Sequence, residues 1–184
     1  MAYGQNSSKP SKPLNNRRLK DLSLYYLGRF ATSKMKLRKY LDRKIKERGW
    51  DDEKQPHIDG LIAEFEHLGY LDDAQYAETR ARSLQLRGYG PRRVSQDLKF
   101  QGIDESDGAI ANEMSELEIW QAAHRFAKKR RIGPYSAILA EPDKAQKQLA
   151  AFLRAGHDFE IAKLFVKAAP GEQIGPPEYI EYFY

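Results

Sequence analysis

Cysteine is absent from all 184 residues. Its absence removes thiol nucleophiles, disulfides and cysteine-ligated zinc together, and it fits a reducing compartment, so the cytoplasm is the expected location. No apolar run approaches the roughly eighteen residues that span a bilayer, so no membrane association is expected. Residues 1–18, MAYGQNSSKPSKPLNNRR, lack the apolar stretch of a signal peptide and read as a disordered basic arm. The histidines, His57, His67, His124 and His157, show no metal-ligand spacing, and no H-E-x-x-H, Walker, G-x-G-x-x-G or G-x-S-x-G pattern occurs. Asp72 and Asp73 are adjacent acids, but their place at a helix start accounts for them. No cofactor, metal or catalytic residue is expected, and the chain does not read as an enzyme.

Charge is what the chain has in quantity, at 31% of residues with a net of +5. The distribution along the chain is uneven: residues 1–50 carry +11, residues 51–118 carry −9 and residues 119–184 carry +3. A basic head before an acidic middle suits a partner of mixed or negative charge, nucleic acid or an acidic protein surface.

The stretch from Gly69 to Ile103, GYLDDAQYAETRARSLQLRGYGPRRVSQDLKFQGI, has the densest local instructions. Asp72 is placed to cap a helix, with Gln75 reaching back and Leu71 against Tyr76 as a hydrophobic staple. Ala77, Ala81 and Leu84 form a narrow buried stripe on a helix that runs to Arg87. Gly88-Tyr89-Gly90-Pro91 ends that helix and opens another, buried through Val94 and Leu98 and closed by Gly102 and Ile103. Arg92 and Arg93 stand in the first turn of the second helix, where the macrodipole is positive and each cation costs about 0.3 to 1 kcal/mol unless an anion answers it.

Before this stretch, Asn15 or Asn16 caps a helix through Leu19, Leu22, Tyr26 and Phe30, and Ser33 caps a second through Leu37, Tyr40, Leu41 and Ile45, ending at Gly49. Lys34 and Lys36 are again first-turn cations. Pro56 opens a third helix carrying Ile58, Leu61, Ile62, Phe65 and Leu68. After the central stretch, Asp104 caps a helix through Ile110 and Met114. Ser115 and Glu118 form a capping box for a helix through Trp120, Ala123 and Ala127, which Gly133-Pro134 stops. Residues 143–154 and 158–168 give the last two helices. The middle helices of the three sets end at Gly49, Gly102 and Gly156, 53 and 54 residues apart, as expected of three degenerate copies of one unit. The expected organisation is all-α: a basic arm at 1–18, three-helix repeats at 19–69, 70–114 and 115–169, and a flexible tail at 170–184, whose Tyr179, Tyr182, Phe183 and Tyr184 are read as loosely packed.

The candidate contact residues are the cations. Arg80 and Arg87 share a helix face beside Tyr76, and Arg92 and Arg93 follow one turn later, so these four are expected to converge on one surface with no opposing acid nearby. The run Lys128, Lys129, Arg130 and Arg131 sits at a helix C-terminus, where cations are favoured, and is a secondary candidate. Lys34 and Lys36 complete the set.

Gly69-Tyr70-Leu71-Asp72-Asp73, Tyr76-Ala77, Gly90-Pro91, Arg93-Val94, Leu98 and Gly102-Ile103 together resemble the RecX regulatory proteins, and the likeness extends to Ser33, Leu37, Leu41 and Gly49. Two departures are Lys36, where the family usually has an acid, and Tyr76 in place of the usual Phe. The resemblance implies tandem three-helix repeats in an elongated, curved array. It also implies a monomeric, non-enzymatic protein that binds RecA and its filament on single-stranded DNA and inhibits recombinase, ATPase and co-protease activity in DNA repair and the SOS response. The alternative is a direct DNA-binding protein of helix-turn-helix type, with only Gln96 and Gln101 available to read adenine on the helix from Pro91; weak direct DNA contact also fits the regulator.

Overall fold

A computed structural model describes residues 12–183. Among the described residues there are nine α-helices and no strand: α1 (Asn16–Leu27), α2 (Lys34–Arg48), α3 (Ile58–His67), α4 (Asp73–Leu86), α5 (Pro91–Phe100), α6 (Glu105–Asn112), α7 (Glu116–Arg130), α8 (Pro142–Arg154) and α9 (Phe159–Lys167). The chain divides into two compact units, residues 1–73 and 74–184. The first holds α1 to α3, the second α4 to α9. Glycines 49, 102 and 156, which follow the middle helix of each set of three, all have positive φ, of 79°, 78° and 89°, and at Gly49 a ψ of 169° turns the chain out extended.

The first unit closes over Leu14, Leu19, Leu37, Leu41, Ile58, Ile62, Phe65 and Leu71. Ser33 caps α2 by accepting from the Lys36 amide at 3.3 Å. A second cap on α2 comes from far along the chain: Oδ1 of the buried Asp73 accepts from the Lys34 amide at 2.8 Å. Two expectations change here. Helix α1 stops at Leu27, and Phe30 lies beyond it, half-exposed. The basic arm is not loose up to residue 18, because Leu14 is fully buried, pairs by backbone hydrogen bonds with Gly49 and Asp51, and is preceded by Lys12, whose carbonyl accepts from Arg48 at 2.8 Å. Residues 1–11 of that arm, and Tyr184 of the tail, lie outside the described residues.

The second unit has two cores. Ala77, Ala81, Leu84, Val94, Leu98 and Ile103 make one; the small alanines admit α5 closely against α4. The other gathers Trp120, Phe126, Phe152, Phe165 and their neighbours from α7, α8 and α9, with α7 started by the expected Ser115–Glu118 capping box. The turn between α4 and α5 docks on the turn between α8 and α9, backbone against backbone. The Gly90 amide donates to Ala155 O at 2.9 Å, the Arg92 amide to Gly156 O at 3.2 Å, and His157 Nε2 to Gly88 O at 3.0 Å. A Cβ on Gly156 would sit 2.3 Å from the Arg93 amide nitrogen, so only glycine permits this approach.

The tail is the third correction. Ile174 is buried in the α7–α9 core, its carbonyl accepts from His124 Nε2 at 3.0 Å, and Phe183 stacks on the His124 ring at 4.0 Å between centroids. Proline and glycine end helix α9 as expected, but the aromatic and aliphatic side chains that follow have an apolar face to bury against.

Candidate partner-binding surface

The rotation of α4 and the docking of α5 decide where each candidate cation goes. Arg80 is engaged within the chain. Its Nε and Nη2 clamp Asp97 of α5 at 2.8 and 3.0 Å, a two-point pair that ties the two helices together. The guanidinium holds the Asp97 carboxyl below the usual carboxylate range, helped by the charges of Arg93 and Arg87, and the carboxylate in turn raises Arg80. The expectation that no acid opposes this group is therefore wrong for Arg80. Tyr76 is also turned inward, its hydroxyl 3.4 Å from Gln101 Oε1.

Arg92 has its anion inside the chain. Asp158, the cap of α9, places Oδ2 3.4 Å from Arg92 Nη2, and the docking of the two turns brings them together. The cost expected for a first-turn cation is offset without an external ligand, and at 70% and 51% side-chain exposure the pair is a weak, solvated one. Arg93 is exposed and reaches Gln96 Oε1 at 3.2 Å. Lys34 pairs with Glu66 at 2.9 Å. Lys36 lines a groove between α1 and α2. Lys128 and Arg131 are exposed, Arg131 in a left-handed conformation (φ 54°) that ends α7.

What the fold does bring together crosses the two rival sets. Arg87, just after α4, Lys129 and Arg130, in the last turn of α7, and Arg154, the last residue of α8, line one depression of about 170 Å³ with Tyr89, Phe126, Ala151 and Ala155. Arg87 lies over the Tyr89 ring at 5.2 Å and Arg130 over Phe126 at 5.6 Å, which fixes both guanidinium groups at its rim. Among the described residues no carboxylate pairs with any of the four. Three helix C-termini meet here, and each contributes about half a negative charge. Four full cations against roughly 1.5 negative equivalents leave a surplus of about 2.5 positive charges, an anion-attracting seam between the central and last sets of helices. Arg154 was not anticipated from the sequence. Its signal is the one that devalued residues 128–131, a cation in the last turn of a helix, and only the packing shows that these turns share one site.

The geometry can now be set beside known proteins. A family profile described as RecX, second three-helix domain, matches residues 72–111. The regulatory protein RecX of Myxococcus xanthus (strain DK1622) is 32% identical over 160 residues, covering 83% of this chain and 86% of that protein. The chain belongs to the RecX family. Its relatives also include the regulatory protein RecX of Stenotrophomonas maltophilia (strain R551-3), 36% identical over 124 residues that cover 67% of this chain and 71% of the relative. In fold, the crystal structure of RecX from Lactobacillus salivarius is similar with a TM-score of 0.62 at 19% identity, covering 82% of this chain and 93% of that one. Within this RecX-family chain the matched segment contains Arg80, Arg87, Arg92, Arg93 and Asp97, so the α4–α5 clamp and one member of the cationic seam lie in the profile while Lys129, Arg130 and Arg154 lie outside it. Among the described residues no helix is long and apolar enough to cross a membrane.

Proposed function

We propose that this protein is a cytoplasmic, monomeric regulator that binds RecA and the RecA filament on single-stranded DNA and mainly inhibits its recombinase, ATPase and co-protease activities in DNA repair and the SOS response, with no catalytic activity of its own. Family membership supports the regulatory role. The observation that carries the contact assignment is the seam of Arg87, Lys129, Arg130 and Arg154, which retains positive charge after the helix ends are satisfied and has no carboxylate partner among the described residues. An anionic protein groove or phosphate backbone answers that charge.

Helix-turn-helix reading of duplex DNA has less support. Of the two glutamines available on this element, Gln101 is buried and bonded to Tyr76, and Gln96 holds Arg93. The test is inhibition of RecA's DNA-dependent ATP hydrolysis, titrated with wild type and with Arg87→Ala/Lys129→Ala/Arg130→Ala. The triple variant is expected to need about tenfold more protein for half-inhibition, the equivalent of roughly 1.4 kcal/mol. Arg92→Ala/Arg93→Ala should change it less than threefold or so, because Arg92 is answered by Asp158 and Arg93 lies within the field of the Asp97 carboxylate, which it helps to hold ionised. Unchanged inhibition by the triple variant overturns the contact assignment; failure of the wild type to inhibit overturns the function.

A further inference from the structure

The charge of the seam exceeds what its helix ends can answer, and its shape limits what can answer it from outside. Going back along each of the three helices, the nearest acid is Glu78 on α4, nine residues before Arg87; Glu118 on α7, eleven before Lys129; and Asp143 on α8, eleven before Arg154. At about 1.5 Å of rise per residue these lie roughly 13 to 17 Å away along the axes, past the Debye length of about 8 Å at physiological salt. Asp97, whose field reaches Arg87, gives both its oxygens to Arg80. Asp158, four residues past Arg154, is turned to Arg92 and the Glu160 amide.

The rings of the hollow are not open to a flat ligand. Arg87 lies over Tyr89, and Arg130 lies over Phe126, which is itself buried. What remains for a ligand is positive charge and N–H donors. Ala151 and Ala155, one turn apart, bring only methyl groups to the lining, which leaves the space between the cations empty. At about 170 Å³ that space is well below the roughly 300 Å³ at which sites for drug-sized molecules begin. A nucleobase or a peptide loop is too large for it; a tetrahedral oxyanion, or a short chain of them, is not. A lone phosphate carries at most about two negative charges and falls short of the surplus of roughly 2.5, whereas two or three condensed phosphates meet it.

We propose that the free protein takes up a condensed phosphate in the seam, a diphosphate or triphosphate group held by Arg87, Lys129, Arg130 and Arg154. Inorganic polyphosphate and the phosphate chain of a free nucleotide present the same chemistry, and the hollow reads only that shared part. Because the four cations come from the ends of α4, α7 and α8, the ligand ties the central set of helices to the last and stabilises the second unit by mass action. The site is complete within one chain, so it stands or falls apart from the RecA reading.

Isothermal titration calorimetry of the full chain at matched ionic strength, without magnesium or RecA, with sodium phosphate, diphosphate, tripolyphosphate and ATP, tests this. Tripolyphosphate is expected to bind at least about tenfold more tightly than phosphate, with ATP within about threefold of tripolyphosphate, and to raise the thermal midpoint. Arg130→Ala/Arg154→Ala weakens tripolyphosphate binding by about tenfold or more, while Arg92→Ala/Arg93→Ala, in the same unit but outside the hollow, leaves it unchanged. A circular dichroism melt verifies the fold of each variant, and Lys129→Gln, at an exposed position, repeats the test if the double variant does not fold. No binding beyond that of chloride at equal ionic strength, binding that survives in the Arg130/Arg154 and Lys129 variants, or a preference for ATP over tripolyphosphate greater than about tenfold overturns the proposal. With RecA absent, none of these results bears on the ATPase titration, and failure of that titration leaves this site untouched.

Discussion

Two buried histidines make the second unit acid-sensitive, and the size of the effect follows from their surroundings. His157 is fully buried, donates from Nε2 to Gly88 O, and presents Nδ1 to the Phe126 and Phe152 rings with no hydrogen-bond partner. A second proton there would place a charge among rings, so burial pushes its pKa down to about 4 despite the Gly88 bond. His124, stacked on Phe183 and edge-on to Phe165, accepts from Tyr135 at Nδ1 and donates to Ile174 O; burial brings it to about 4 as well. Both have folded pKa values below the ordinary 6.5, so the unfolded chain binds more protons between these two values. Stability is therefore complete above about 6.5, falls as pH drops towards 4, and levels off below it. At about 1.4 kcal/mol for each unit of displacement, each histidine contributes at most roughly 3 kcal/mol, and the pair up to about 6, against the 5 to 15 kcal/mol of a typical domain. Urea unfolding followed by circular dichroism at intervals from pH 7 to 4 reads the loss, and His157→Gln, which keeps a donor for Gly88 O, should flatten the slope by about half. Imidazole proton resonances of either residue titrating near 6.5 in the folded protein would refute the reasoning, whatever the unfolding curves show.

Two further outcomes test the packing. Arg80→Ala leaves the Asp97 carboxylate, 14% exposed, without its clamp, and should cost about 1 to 2 kcal/mol in urea unfolding after allowance for the partial exposure of Arg80. Gly156→Ala combines a left-handed backbone with a Cβ 2.3 Å from the Arg93 amide and should cost about 2 to 4 kcal/mol, whereas Gly171→Ala, at φ 77° with open space around it, should cost about 1; equal losses at the two sites would show that the turn-to-turn contact is not tight.

Helix boundaries were legible because their determinants lie within four residues of one another. Ser33 accepts from the Lys36 amide, Ser115 and Glu118 answer each other, and the glycines at 49, 102 and 156 all take a positive φ just past their helices. Apart from the early end of α1 at Leu27, the misreadings depend on a partner much farther along the chain. Asp97 is 17 residues from Arg80, Asp158 is 66 from Arg92, and Ile174 is 50 from the His124 that fixes the tail. A local reading sees a cation without an anion or a terminus without a core, and it has no means of knowing that a later turn supplies one.

The same limit bears on how the two sets of cations read from sequence alone. Arg92 looked unsatisfied because its own helix opposes it, yet the docking of the two turns brings it Asp158. Residues 128–131 looked satisfied because their own helix favours them, and judged helix by helix that is sound. But a macrodipole offers only about half a charge at each end, so two cations in one last turn already exceed it. Packing that end against two others, each carrying a further arginine, adds surplus to surplus. Favourable placement of each residue is therefore compatible with a strongly positive site. The quantity that marks such a site is the charge left when all the helix ends that meet there are counted together, and that count requires the fold.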